Sequence, residues 1–287
     1  MQIPMTFPDM TTIRQTLDAP EVPDVAAAVT AEMACLTADP RIKSGARIAV
    51  TAGSRGIAGI DTILKTVVAC LKATGAEPFL VPAMGSHGGG SAEGQVAMLE
   101  SLGVTVEKMG APIRASMAVV EIGRSIHGYP VWLDHYAAEA DGILVVNRIK
   151  PHTDFDGPVE SGLMKMLAIG LGKHKGCTEV HRQTVQHGYR EVIPAIGRLL
   201  LEHLPVVGGL GIVENCYDRT AIIRALAADV MEAGEAELLV EAKRLMGRLP
   251  FGELDLLIVD EMGKNISGTG MDTNVIGRIM FVGEPEP

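Results

Sequence analysis

The segment 147–157 carries the densest set of reactive side chains in this chain. It follows an apolar run, Ile143–Val146, that is typical of a buried parallel strand. Its charged or titratable residues are Arg148, Lys150, His152, Asp154 and Asp156. A histidine beside carboxylates can titrate near neutral pH and transfer protons. Because open α/β folds bind ligands at the carboxyl ends of their strands, this segment predicts a catalytic site.

Two glycine-rich segments also follow apolar runs. Gly53–Gly59 contains Ser54 and Arg55, so it is either a structural turn or a site where bare backbone and a guanidinium bind a phosphate or carboxylate. His87 lies between Gly85 and three consecutive glycines. This pattern predicts a ligand held close to the imidazole, with a flexible surface loop as the alternative.

A lysine and a histidine extend the candidate site beyond the glycine-rich segments. Lys165 lies in the apolar segment 162–167, where it is either a lysine at a helix edge or a desolvated amine able to bond covalently to a cofactor. Gly170–Gly176 is a basic turn, which includes Lys173 and either binds a phosphate or ends a helix. His181 follows on the next segment.

Alternating strand and helix patterns must position these residues. Short aliphatic runs predict strands at 47–51, 78–81, 117–122, 142–146, 206–213, 221–225 and 254–259. Helical periodicity predicts helices at 60–74, 91–102, 190–203 and 227–246. This alternation predicts an α/β fold with a mostly parallel, Rossmann-like sheet and flanking helices. The segment near 119–132 is expected to be a β-ribbon or an edge insertion. We expect an N-terminal cofactor-binding domain at 1–249 and the start of a second α/β lobe at 250–287.

Composition excludes several functional classes. The net charge is −10 and aromatic residues make up only 3%, which disfavours nucleic acid as a partner. The cysteines are dispersed, at Cys35, Cys70, Cys177 and Cys216, and the N-terminus does not resemble a signal peptide. No apolar run is long enough to predict a membrane span. We therefore expect a reduced, cytoplasmic protein.

These residues resemble the motifs of the nickel-pincer-nucleotide-dependent lactate racemase family. The resemblance runs from about residue 49 to residue 181. It rests on Arg55, His87, His152, Lys165 and His181, which stand where that family has a cation after the first strand, a Gly-x-His turn, a strand-end histidine, a cofactor-bearing lysine and a nickel ligand.

The resemblance implies a specific chemistry. The cofactor would be a pyridinium mononucleotide that holds nickel through two sulfur-bearing arms and a ring carbon, with Lys165 attached to one arm and His181 as the protein ligand. His87 and His152 would be general acid/base catalysts, and Arg55 would orient a 2-hydroxy acid that is racemised or epimerised by hydride transfer. The remaining assignments are Gly53, Ser54, Gly85 and Lys173 for the cofactor, and Lys264 or Arg278, with Asn274 as another candidate, for the substrate.

Alternatives stay open at this point. The hydroxy acid could be lactate-like or a larger sugar acid. A nicotinamide-dependent dehydrogenase would use the Gly53 turn for phosphate, although the G-x-G-x-x-G pattern is missing. The third alternative is a non-catalytic module that binds a nucleotide or nickel.

Overall fold

A computed structural model describes residues 9–263, 266–267 and 270–278 of the 287-residue chain. The helices are α1 (Val25–Thr37), α2 (Ile60–Ala73), α3 (Ala92–Ser101), α4 (Val106–Met109), α5 (His135–Ala138), α6 (Leu163–Lys165), α7 (Lys173–His187), α8 (Tyr189–His203), α9 (Met231–Leu245) and α10 (Thr273–Ile276). The strands are β1 (Arg47–Ala52), β2 (Glu77–Pro82), β3 (Val119–Arg124), β4 (Pro130–Asp134), β5 (Gly142–Arg148), β6 (Val206–Glu214) and β7 (Thr220–Ala227). A π-helical turn, Met166–Gly170, extends α6. No helix in the described part of the chain is both long and apolar enough to span a membrane.

The main sheet has the strand order β2-β1-β5-β6-β7. β1 is parallel to β2 and β5, and β5 is parallel to β6, whereas β7 pairs antiparallel with β6. The predicted α/β fold with a mostly parallel sheet is confirmed. The neighbours β2 and β5 lie on opposite sides of β1, so the chain reverses its direction of travel across the sheet at β1. Such a switch point opens a crevice at the carboxyl ends of the strands.

Buried apolar side chains form a core on each face of the sheet, because successive residues of a strand point to opposite faces. In β5, Ile143 and Val145 belong to one core, and Leu144 and Val146 belong to the other. Helices α6 to α9 contribute to the first core. Helix α2 covers the second with an apolar stripe at helical spacing: Ile60, Ile63, Leu64, Val67, Val68 and Leu71.

Two segments outside the main sheet test the strand predictions. The predicted ribbon is confirmed, since β3 and β4 pair antiparallel. The strand predicted at 254–259 is wrong: no strand is formed there, and Leu256 and Ile258 are 75% and 81% exposed. Among the described residues, this segment has no neighbouring strand to satisfy its backbone N–H and C=O groups. The domain boundary near residue 249 remains a prediction.

Candidate active site

The carboxyl ends of β1, β2 and β5 border one cleft of about 860 Å³. Because these parallel strands are adjacent, the loops that follow them meet at one edge of the sheet. Most of the predicted site residues line this cleft: Gly53, Ser54, Arg55, His87, His152, Lys165 and His181. Gly53 allows close approach of the first loop, because a Cβ at this position would lie 3.1 Å from the Met166 methyl carbon.

The loops after β1 and β2 meet through Ser54 and His87. Ser54 Oγ lies 2.6 Å from His87 Nδ1, so the serine orients the imidazole. A hydroxyl can either donate or accept this hydrogen bond, so the ring can carry its proton on either nitrogen. Gly85 has a φ of +56°, which favours glycine, and a Cβ there would lie 3.3 Å from Cys177 Sγ. Gly85 itself therefore packs against α7 and supports the His87 loop.

A buried carboxylate holds the backbone of the loop after β5. Glu160 Oε2 accepts a hydrogen bond from the His152 N–H at 2.6 Å, and Oε1 accepts one from the Gly157 N–H at 3.2 Å. The Asp154 N–H donates to His152 Nδ1 at 3.1 Å, which places the proton of the neutral ring on Nε2. Burial, helped by the charge on Lys165, lowers the pKa of His152 to about 2. The imidazole is therefore neutral near pH 7.

An aromatic stack joins the His152 loop to the start of α8. The rings of His152 and Phe155 stack with their centroids 4.5 Å apart, and Phe155 stacks on Tyr189 at 4.9 Å. Tyr189 lines the cleft but is absent from the predicted site. Its signal in the sequence is an aromatic residue placed where a helix begins, in a chain with few aromatics.

Tyr189 also fixes His181, the predicted nickel ligand. The Tyr189 hydroxyl lies 2.9 Å from His181 Nδ1, which leaves Nε2 as the nitrogen for a metal ion. Burial lowers the pKa of His181, and this favours the neutral form that binds metals. Among the residues the structure describes, no group of three or more His, Cys, Asp or Glu side chains is arranged to hold a metal ion.

Lys165 ends α6 and lines the cleft. Its surroundings are apolar: its Nζ lies 6.0 Å from the centre of the Phe155 ring, and the π-helical turn that follows is fully buried. Its amine forms no hydrogen bond or ion pair with a described residue. Burial lowers the pKa of Lys165 to about 8, although the charge of Asp154 acts in the opposite direction. A useful fraction of the amine is therefore neutral and nucleophilic near pH 7.

A second lysine in the cleft, Lys150, belongs to the predicted catalytic segment but has no role assigned to it in the sequence analysis. Its neighbour Arg148 is engaged by Glu214, whereas Lys150 and Arg55 form no ion pair within the described part of the chain. Burial lowers the pKa of Lys150, and the charge of Arg148 acts in the same direction. Lys150 and Arg55 are therefore available to an anionic ligand within the described part of the cleft.

Lys173, predicted to contact the cofactor, lies in the core and not in the cleft. Its Nζ donates to the Pro82 carbonyl oxygen at 2.5 Å and lies 3.3 Å from a carboxylate oxygen of Asp134. Both charged side chains are 0% exposed, and each needs the other because an unpaired buried charge is costly. A left-handed φ of +54° at Lys173 accompanies this placement. The predicted anion loop Gly170–Gly176 borders the cleft only through Gly170.

Two of the three residues predicted to bind the substrate carboxylate, Arg278 and Asn274, do not line the cleft. Arg278 is exposed and lies outside the lining, and Lys264 falls outside the described residues. Asn274 donates from Nδ2 to the His152 carbonyl oxygen at 3.0 Å. Its amide therefore supports the backbone of the His152 loop.

Comparisons with known proteins address the family and the fold. Residues 5–192 match the family model described as the lactate racemase N-terminal domain. The structure of the lactate racemase apoprotein from Thermoanaerobacterium thermosaccharolyticum has a similar fold, with a TM-score of 0.56 and 12% sequence identity. That match covers 80% of this chain and 58% of the other, so the chain spans less than two thirds of that protein's length. No curated protein matches the chain significantly.

Proposed function

Because the chain belongs to the lactate racemase N-terminal domain family, we propose that it forms the catalytic and cofactor-binding part of a racemase or epimerase of a 2-hydroxy acid. One observation carries this proposal. Arg55, His87, His152, Lys165 and His181 come from separate segments of the sequence and line a single cleft.

The cleft fits the nickel-pincer nucleotide that the family resemblance implies. Lys165 offers a partly neutral amine for covalent attachment, and His181 offers Nε2 to nickel because Tyr189 engages Nδ1. Gly53 and Ser54 lie in the turn after β1, where bare backbone suits a phosphate. The volume of about 860 Å³ is that of a small-molecule site. When bound, the cofactor supplies the redox chemistry that removes a hydride from C2 of the substrate and returns it.

His87 and His152 serve the hydroxyl group of the substrate. Ser54 can accept a hydrogen bond from Nδ1 of His87. In that tautomer Nε2 carries no proton, so the ring can accept one from the substrate hydroxyl. Neutral His152 carries its proton on Nε2 and therefore first acts as a hydrogen-bond donor. The hydroxyl points in opposite directions in the two configurations, so each imidazole serves one of them. To accept a proton in its turn, His152 must break its bond with the Asp154 N–H.

Arg55 and Lys150 bind the substrate carboxylate in this proposal. A guanidinium can pair with a carboxylate through two parallel hydrogen bonds, and an ammonium adds a point charge. Neither side chain has a competing ion pair among the described residues. Both side chains line the cleft, whereas Arg278 does not. The role predicted for Lys264 stays a prediction.

Turnover of deuterated hydroxy acids tests the proposed reaction. Protein matured with cofactor-making enzymes should interconvert the C2 configurations of at least one member of a panel running from lactate to sugar acids. Substrate deuterated at C2 should react more slowly and keep its deuterium in the product. Deuterium released to solvent would mean deprotonation at C2 and would contradict the proposal.

Histidine variants separate the proposed roles. His87→Ala and His152→Ala should each lose about 10²–10⁴-fold in turnover and keep their nickel, because each removes one acid/base group. His181→Ala should lose nickel, whereas the exposed His203→Ala on α8 is the matched control and should change neither. Oxidation that needs a nicotinamide would favour a dehydrogenase. Nickel binding without turnover of any panel member would favour a non-catalytic module.

A further inference from the structure

Helix α9 places a buried carboxyl group directly beneath the helix that carries Lys165. Glu235 on α9 is 0% exposed, and its Oε2 accepts a hydrogen bond from the Met164 N–H at 2.8 Å. Met164 immediately precedes Lys165. Glu235 Oε1 is also buried and makes no hydrogen bond to a described residue. Nothing in the proposed chemistry uses this carboxyl group.

The helix needs this carboxyl group because it has no cap of its own. The first N–H groups of a helix lack intrahelical partners, and a side chain at the N-cap position usually accepts from them. Here the N-cap is Gly162, which has no side chain to do so. A Cβ on Gly162 would lie 2.1 Å from Glu235 Oε1. Glycine at this position therefore makes room for a cap supplied by another helix.

The start of α6 is held from the cleft side as well. Asn147, at the end of β5, donates from Nδ2 to the Gly162 carbonyl oxygen at 3.0 Å and lines the cleft. Gly162 is thus fixed between Asn147 and Glu235. We propose that Glu235 is a positioning residue for Lys165, whose carboxyl group caps α6 and so keeps the lysine amine in its apolar place at the cleft. The importance of this role for catalysis rests on the proposed function of Lys165. The hydrogen bond between Glu235 and the Met164 N–H does not depend on that function.

The electrostatics of Glu235 identify its conservative replacement. Burial raises the pKa of Glu235 to about 8, so the carboxyl group is mostly protonated at pH 7. A glutamine has nearly the same shape as this neutral acid and can still accept from the Met164 N–H. Glu235→Gln should therefore preserve the cap, whereas Glu235→Ala removes it.

Competitive acetylation of the cofactor-free protein across pH measures the effect on Lys165, with exposed Lys43 as the internal reference. The labelling midpoint of Lys165 should lie near pH 8 in the wild type and in Glu235→Gln. In Glu235→Ala it should rise by about one unit or more, because an amine that leaves its apolar place regains the ordinary pKa of lysine. This measurement needs neither cofactor nor turnover. The role of Glu235 can therefore be disproved while the proposed function stands, and the proposed function can be disproved while the role of Glu235 stands.

A control on the same helix separates positioning from general stabilisation. Leu245 of α9 is 1% exposed and packs in the hydrophobic core. Leu245→Ala should lower stability but leave the Lys165 midpoint unchanged. If Glu235→Ala does not fold, Gly162→Ala takes its place, because its Cβ displaces the carboxyl group, and the same rise is expected. A folded Glu235→Ala or Gly162→Ala with a midpoint still near pH 8 would overturn the proposal.

Discussion

Two lysines that are close in sequence, Lys165 and Lys173, have opposite environments. Both lie in buried surroundings that lower the pKa of the amine. Lys173 is sealed in the core, where Asp134, Gln95 and the Pro82 carbonyl oxygen engage its amine. Lys165 opens onto the cleft and has no such partner among the described residues.

The difference shows that burial alone does not identify a reactive lysine. Desolvation favours the neutral, nucleophilic form of an amine. A carboxylate or carbonyl oxygen that accepts hydrogen bonds from the ammonium group has the opposite effect, because it stabilises the charged form. At Lys173 these partners turn the buried charge into a structural contact. At Lys165 the described residues provide no such partner, which leaves the amine available for the covalent attachment proposed above.

The largest expected effect is on the free energy of unfolding. Lys173→Met should destabilise the protein by about 3–5 kcal/mol, because it leaves the Asp134 carboxylate buried without its cation. Lys165→Met should change stability by less than about 1 kcal/mol, or increase it, because no buried partner is left behind. Urea denaturation followed by circular dichroism measures both values. Equal losses of stability in the two variants would mean that the two lysines do not differ in their buried partners.

A smaller effect is expected when the weak electrostatic partner of Lys165 is removed. The negative charge of Asp154 favours the ammonium form of Lys165 and so raises the pKa of this lysine. Asp154→Asn should therefore move the labelling midpoint of Lys165 below pH 8, by some tenths of a unit up to about one unit. The exposed Asp141→Asn is the matched control and should leave the midpoint unchanged. An upward shift in Asp154→Asn would mean that the carboxylate does not act on Lys165 as described.

Much of the fold and part of the site could be predicted from the sequence. Apolar runs such as Ile143–Val146 bury both faces of a parallel strand, and this pattern is local and strong. The carboxyl ends of the parallel strands in one sheet lie at the same edge, so His87 and His152 could be expected at one site. The run at 254–259 misled because a strand also needs a neighbour, which local composition does not supply.

The partners of the site residues could not be predicted in the same way. Tyr189, Glu160 and Glu235 act through contacts between segments that are distant in the sequence. Lys173 resembles an anion-binding lysine until the position of Asp134 is known. Side-chain direction in a turn depends on tertiary contacts, whereas residue type and spacing reveal only that a charge is present.

The most direct test of the account is peptide mapping of protein matured with the cofactor-making enzymes. We expect a covalent adduct on the peptide that contains Lys165, with about one nickel per chain, as a single imidazole donor implies. Lys165→Ala should abolish the adduct. Lys175, whose exposed amine packs on the Trp132 ring, provides the control, and Lys175→Ala should keep the adduct. An adduct on Lys173 or Lys175, or nickel-loaded protein in which Lys165 is unmodified, would contradict the account.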